Sequence, residues 1–178
     1  MLISSEHIGY VSLTDRWGPL LVSFFSDLAA DSDSRWFHPH PLTPAAALEI
    51  SRHRGRDIYL AQTVGGEMAG YGMLRGWDAG YDAPSLGIAV HPRFRGRGLA
   101  EPFMHHLHDC AAAAAARCIR IKVYDENKPA CRLYRKLGYT LSRREGAQWI
   151  GWYRFPGVGE TGCGEAGGTN GCGQGLRQ

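Results

Sequence analysis

Residues 85–100, Ser-Leu-Gly-Ile-Ala-Val-His-Pro-Arg-Phe-Arg-Gly-Arg-Gly-Leu-Ala, constrain this chain more than any other segment. Residues 85–90 form a short apolar run of strand type. A connection rich in arginine and glycine follows. Residues 99–116 then carry a helical stripe of Phe103, Leu107 and Cys110 and end in six consecutive alanines. A strand that turns on glycine into a helix aims several backbone N–H groups at one point, and the helix dipole adds positive potential there. Glycine also lets the backbone approach a phosphate closely, and Arg93, Arg95 and Arg97 can meet further phosphates. The segment reads as a diphosphate cradle. Short glycine patterns are weak signals, so an ordinary solvated loop is the plain alternative. An Arg-Gly nucleic-acid segment fits less well, because the stretch is short and lies between two ordered elements.

The rest of the chain supplies a frame for that cradle. Residues 10–13 alternate weakly as a first strand. Residues 16–29 place Trp17, Leu20, Leu21, Phe24, Phe25 and Leu28 at helical spacing. Thr43-Pro44 reads as an N-cap with proline in the first turn, opening a helix that runs to about residue 53. Residues 58–64 and 67–77 are strands joined by the hairpin turn Gly65-Gly66. Residues 118–124 alternate as a strand. Residues 129–137 form a short helix closed by Gly138, and residues 139–144 and 148–155 make a last antiparallel pair. The order β-α-α-β-β-β-α-β-α-β-β predicts an α/β fold of the α+β type, with a mixed, mostly antiparallel twisted sheet of about seven strands flanked by helices. One domain over residues 1–156 is expected. Residues 157–178 are rich in glycine and poor in apolar anchors, so they are expected to form a disordered tail.

Composition narrows the function class. A net charge of +3 over 178 residues suits an anionic ligand at a local patch and does not call for nucleic acid. No apolar stretch approaches membrane-spanning length. The N-terminus lacks the pattern of a signal peptide, so a cytoplasmic location and no membrane partner are expected. The five cysteines contain no C-x-x-C pair, and His38 and His40 lack further ligands at suitable spacing, so no metal is expected.

Arg95-Gly96-Arg97-Gly98-Leu99-Ala100 fits the pattern Q/R-x-x-G-x-G/A, and Val90-His91-Pro92 precedes it. A second segment, Asn127, Ala130 and Leu133-Tyr134-Arg135-Lys136-Leu137-Gly138-Tyr139, follows at the matching distance. Together these segments resemble the GCN5-related N-acetyltransferase (GNAT) family over about residues 10–155. Pro102 is slightly unusual for the family helix. The resemblance implies acetyl-coenzyme A as cosubstrate, no metal, and a central pair of strands, residues 85–90 and 118–124, that splay apart. The pyrophosphate would meet the amides of Arg97, Gly98, Leu99 and Ala100, with Gly96 and Gly98 giving access and Arg95 beside them. The pantetheine arm would run along Ile88, Ala89 and Val90, and an amide of Ala89 or Val90 would hold the oxyanion. Asn127 would hold the arm, cap the following helix, or both. Tyr134 would give a proton to the departing sulfur; its plain alternative is a tyrosine packed on the sheet with a wet hydroxyl.

The resemblance does not assign the base. Glu67, Asp78, Asp82, His38, His40 and His91 are candidates, of which Asp78 and Asp82 lie in the loop before the cofactor strand. Glu67 reads as a solvated hairpin residue and His91 as scaffold. Trp36, Phe37, His38 and His40 fall where the family shapes its acceptor pocket. They could equally be a proline-stiffened loop that packs into the core. The expected activity is transfer of acetyl to a primary amine of a small molecule, by direct attack in a ternary complex. Protein N-terminal or lysine acetylation is the rival within the same chemistry. A non-catalytic coenzyme-A sensor is disfavoured by the presence of Tyr134. The quaternary state stays open, a homodimer included.

Overall fold

A computed structural model describes residues 7–157; the glycine-rich tail expected from residue 157 therefore falls almost entirely outside the described residues. The strands are β1 (Ile8–Ser12), β2 (Ile58–Val64), β3 (Glu67–Arg75), β4 (Ser85–Val90), β5 (Cys118–Tyr124), β6 (Thr140–Glu145) and β7 (Gln148–Arg154). The helices are α1 (Gly18–Ala30), α2 (Pro44–Ser51), α3 (Ala100–Ala113) and α4 (Lys128–Lys136). Local chemistry sets several of these boundaries. Thr43 Oγ1 accepts from the Ala46 N–H at 3.2 Å, capping α2. Gly65 and Gly66 take φ of +57° and +87°, the positive values a tight hairpin needs between β2 and β3.

The strands form one sheet in the order β1-β2-β3-β4-β5-β7-β6. Neighbouring pairs are antiparallel except β4 and β5, which run parallel. This mixed sheet flanked by helices is the architecture expected from the element order. The β4–β5 contact is the exception in its extent too. Ser85 registers with Arg120, and the Arg120 N–H donates to the Pro84 carbonyl at 2.9 Å. Beyond that point the two strands diverge.

Helices cover both faces. On one face, Phe103, Met104 and Leu107 of α3 pack with Leu74, Leu86, Ile119 and Ile121, and Tyr134 of α4 joins them. On the other, Leu21, Phe24, Phe25 and Leu28 of α1 pack with Ala61, Tyr71, Met73 and Ala89. Gly72 permits the first packing: a Cβ there would stand 2.7 Å from the Phe103 ring. Replacing a fully buried ring such as Phe103 with alanine costs about 3–5 kcal/mol. The two cores clamp β3 and β4 from both sides, which holds the edge of the gap in place.

Candidate active site

The divergence of β4 from β5 opens a cleft of about 2110 Å³. It runs from Gly96, Gly98, Leu99 and Ala100 at one end, past Ile88, Ala89, Val90, Asn127 and Tyr134, to Trp36, Phe37, His38 and Asp82. Of the cofactor residues expected from the two sequence segments, all but Arg97 thus line one continuous space.

The turn into α3 has the form of an anion cradle. Gly96 and Gly98 adopt φ of +75° and +74°, and a Cβ at either would meet nothing within 4 Å. Among the described residues no side chain caps the N-terminus of α3, which leaves its first amides available to a ligand. From behind, Gln62 on β2 donates its Nε2–H to the Leu99 carbonyl at 3.0 Å. Gln62 is fully buried and its Oε1 has no partner among the described residues. Its sequence signal is a single amide within the apolar run IYLAQTV. A polar residue at a core position implies a bonding partner.

The arginines behave differently from their expected phosphate roles. Arg95 lines the cleft, but its guanidinium pairs with Asp31 at 2.7 Å and Asp33 at 3.1 Å and donates from Nε to the Val90 carbonyl. The hydrogen bond from Arg95 holds the Asp31 carboxyl below the usual carboxylate range. Arg95 therefore ties the loop after α1 to the cradle. Arg93 pairs with Glu67 at 2.6 Å, and Arg97 lies 5.0 Å from the Phe94 ring; neither side chain lines the cleft. His91 is scaffold. It is buried, its Nδ1 accepts from the Arg93 N–H, and its Nε2–H donates to Asp27 at 3.0 Å.

The ladder decides which β4 amides face the gap. The His91 N–H donates to the Ala69 carbonyl, and the β3–β4 register continues unbroken through Val90–Gly70 and Ala89–Tyr71. Amides alternate in direction along a strand. Ala89 therefore bonds to β3, while Ile88 and Val90 present their N–H groups to the cleft. The Pro84 carbonyl bonding to β5 follows the same alternation. Of the two amides considered for the oxyanion, Val90 is the one with its N–H in the cleft.

Asn127 caps α4: its Oδ1 accepts from the Ala130 N–H at 3.2 Å, and the residue also lines the cleft. Tyr134 sits about two turns further on, 7% exposed. Burial, with a smaller contribution from Cys131, pushes its phenol up to about 12. Among the described residues none hydrogen-bonds its hydroxyl, and its ring packs edge-on to Tyr139 at 5.5 Å. It is a protonated donor at neutral pH, facing the cleft.

The two aspartates of the preceding loop part company. Asp82 is exposed and lines the cleft. Asp78 does not line it. Its carboxylate accepts from the Arg56 and Asp57 amides at 2.7 and 3.2 Å, while Asp57 Oδ1 accepts from Gly76 and Asp78 in return. The Arg56 amide bond is the main reason its pKa falls below the ordinary value. Asp78 clasps two loops together.

The aromatic loop divides in the same way. Trp36 ends a 3-10 turn (Ser32–Trp36), and its ring meets Tyr124 at 5.5 Å; His38 meets the same ring at 6.3 Å. His40 leaves the cleft instead. Its Nδ1–H donates to the Pro41 carbonyl and its Nε2 accepts from the Tyr71 hydroxyl at 3.0 Å, and burial lowers its pKa. Trp36, Phe37 and His38 therefore wall the cleft while His40 braces them.

No group of His, Cys, Asp and Glu suited to a metal ion occurs among the described residues, and none of their helices is long and apolar enough to cross a membrane.

The acetyltransferase (GNAT) family profile matches residues 21–139. The GNAT domain of S. lividans PAT superposes with a TM-score of 0.72 at 20% identity, over 87% of this chain and 99% of that one. The PaiA N-acetyltransferase from Thermoplasma acidophilum, solved with coenzyme A, gives 0.70 at 12% identity over 84% and 99%. The ribosomal-protein-S5-alanine acetyltransferase from Vibrio fischeri gives 0.71 at 12% identity over 86% and 96%. At these identities the structural matches speak for the fold, and the profile speaks for descent. The chain belongs to the GNAT family of acetyltransferases, enzymes that use acetyl-coenzyme A to acetylate amines.

Proposed function

We propose that this enzyme acetylates a primary amine of a small molecule by direct attack within a ternary complex. The observation that carries this reading is the single cleft joining the glycine cradle to a pinned aromatic wall. Three contacts hold that wall: Arg95 to Asp31, Trp36 to Tyr124, and Arg75 Nη1 donating to the Pro39 carbonyl at 2.9 Å. A fixed wall suits a compact acceptor better than a peptide that needs an open groove.

The amides at Gly98, Leu99 and Ala100 bind the pyrophosphate of the donor, and the free amides of Ile88 and Val90 bond its arm as an added strand would. The acceptor nitrogen attacks the thioester carbon, and the Val90 N–H receives the developing oxyanion. As the C–S bond breaks, Tyr134 gives its proton to the sulfur. Asp82, directly or through water, takes the proton that the ammonium must lose before attack. Direct attack also fits the thiols. Among the described residues the free cysteines are Cys110 and Cys131; neither lines the cleft, and burial pushes both pKa values up.

An acceptor screen with acetyl-coenzyme A, following release of free thiol, tests the proposal. Small amines should be turned over in preference to peptides with free N-termini or lysines. Efficient turnover of the peptides alone would replace this reading with protein acetylation, the activity that the Vibrio fischeri structure's name carries.

A further inference from the structure

Across the cleft from α3, the sheet presents a row of side chains to the acceptor. Arg75 registers with Ser85, Ser85 with Arg120, and Arg120 with Trp152, so the four share one face. Lys122, two residues along β5 from Arg120, lies on that face as well. All five line the cleft. The alternate residues of β5, Ile119, Ile121 and Val123, bury in the core on the opposite face. The row sits at the start of β4, five residues from Val90 and so about 16 Å from the end that leads to the phosphate cradle.

Charge in this row is poorly balanced. Arg120 is half-buried, and its Nη1 donates to the Ser85 hydroxyl at 3.5 Å, at the limit of a hydrogen bond. Arg75 is also half-buried and gives one N–H to the Pro39 carbonyl. Among the described residues no carboxylate forms an ion pair with either guanidinium. Of the four acids that line the cleft, Asp33, Asp57, Asp82 and Glu126, the first two are committed elsewhere. Asp33 pairs with Arg95, and Asp57 accepts from the Gly76 and Asp78 amides. Lys122 pairs with Glu145 at 2.8 Å. A guanidinium carries five donors in a planar fork, so Arg120 and Arg75 leave most of theirs unused. Withdrawing such groups from water is costly unless an anion meets them.

We propose that the amine acceptor carries an oxyanion, a carboxylate or a phosphate, that Arg120 and Arg75 bind. This rests on the acetyltransferase reading above and names its substrate class. The anion anchors the acceptor at the Arg75–Arg120 row, and the indole of Trp152 floors the space beside it. The amine is then left to reach the thioester near Val90. Polycationic acceptors such as polyamines are disfavoured, because they bring like charge to this row.

Matched acceptor pairs test the inference: amino acids against their carboxamides, and aminoalkyl phosphates against the corresponding alkanolamines. The anionic member should show kcat/KM about tenfold to a hundredfold higher, chiefly through KM, as expected for a charge-assisted hydrogen bond made by one member only. Whichever pair shows the larger ratio tells carboxylate from phosphate. Arg120→Gln should shrink that ratio to about twofold while acetyl-coenzyme A affinity stays unchanged, which also reports correct folding. Equal or faster turnover of the neutral members, or an undiminished ratio in Arg120→Gln, overturns the inference. If no pair is turned over, calorimetry on the coenzyme-A-loaded enzyme decides. Binding of anionic members alone supports the inference, and no anion-dependent binding refutes it. Failure of coenzyme A itself to bind would refute the acetyltransferase reading instead.

Discussion

Mild acid should loosen this fold through one side chain, His108. It lies on α3, 7% exposed, with its Nε2 sharing a 2.8 Å hydrogen bond with the Tyr139 hydroxyl and its ring stacked on Tyr153 at 4.3 Å. Burial lowers its pKa to about 4, His105 adds to the shift and Asp109 opposes it. The unfolded chain titrates this group near 6.5, so between the two values the unfolded state holds more protons. The stabilising contribution is therefore complete above about pH 6.5 and is lost as pH falls towards 4. At 1.36 kcal/mol per pKa unit the full loss is about 3 kcal/mol, and by about pH 5 roughly 2 kcal/mol has gone. Urea denaturation of wild type and His108→Gln from neutral pH to about pH 5 isolates this share, because glutamine does not titrate. The variant starts less stable but should lose about 2 kcal/mol less over that range. Parallel stability curves for the two proteins would show that His108 does not carry the buried, neutral imidazole described above.

Tyr134→Phe should lower kcat by about a hundredfold to ten-thousandfold while acetyl-coenzyme A affinity holds; a wild-type single-turnover rate would leave Tyr134 as a packing residue. Gly98→Val should weaken acetyl-coenzyme A binding at least about tenfold, since it places a branched side chain at φ +74° in the cradle, and unchanged calorimetry would remove the pyrophosphate from this turn. Asp78→Asn should lower the melting temperature and leave the pH–rate profile in place, whereas Asp82→Asn should alter the acid limb of kcat/KM. The reverse pattern would exchange their roles.

Local signals in the sequence reached far into this structure. The cradle was legible because its strand, glycines and helix start are contiguous, and the caps at Thr43 and Asn127 act over three residues. Charge commitments were not legible. Arg95 looks like a phosphate ligand until the fold brings Asp31 to it across 64 positions of chain. Asp78 and Asp82 are equivalent as letters in one loop, and only the packing of the segment near Arg56 separates the clasp from the cleft. His38 and His40 flank a single proline, yet only the Tyr71 hydroxyl, 31 positions away, shows which imidazole turns inward. The row of Arg75, Ser85, Arg120 and Trp152 needs the register of four strands, and no short window contains it.

The joint at Ser85 and Arg120 also bears on how the molecule opens and closes as a whole. Without a continuous ladder between β4 and β5, backbone bonding divides the sheet into β1–β4 and β5–β7–β6, coupled mainly through the core beneath. Each block can open locally without first breaking the hydrogen bonds of the other. A donor arm bonded along Ile88 and Val90 couples the blocks, so acetyl-coenzyme A should raise amide-exchange protection in β7, a strand away from the gap. Exchange in β7 that ignores the ligand would refute that coupling. By the same linkage, substitutions that favour the joined arrangement of the two blocks should tighten acetyl-coenzyme A binding, up to the limit set by how far they shift its population.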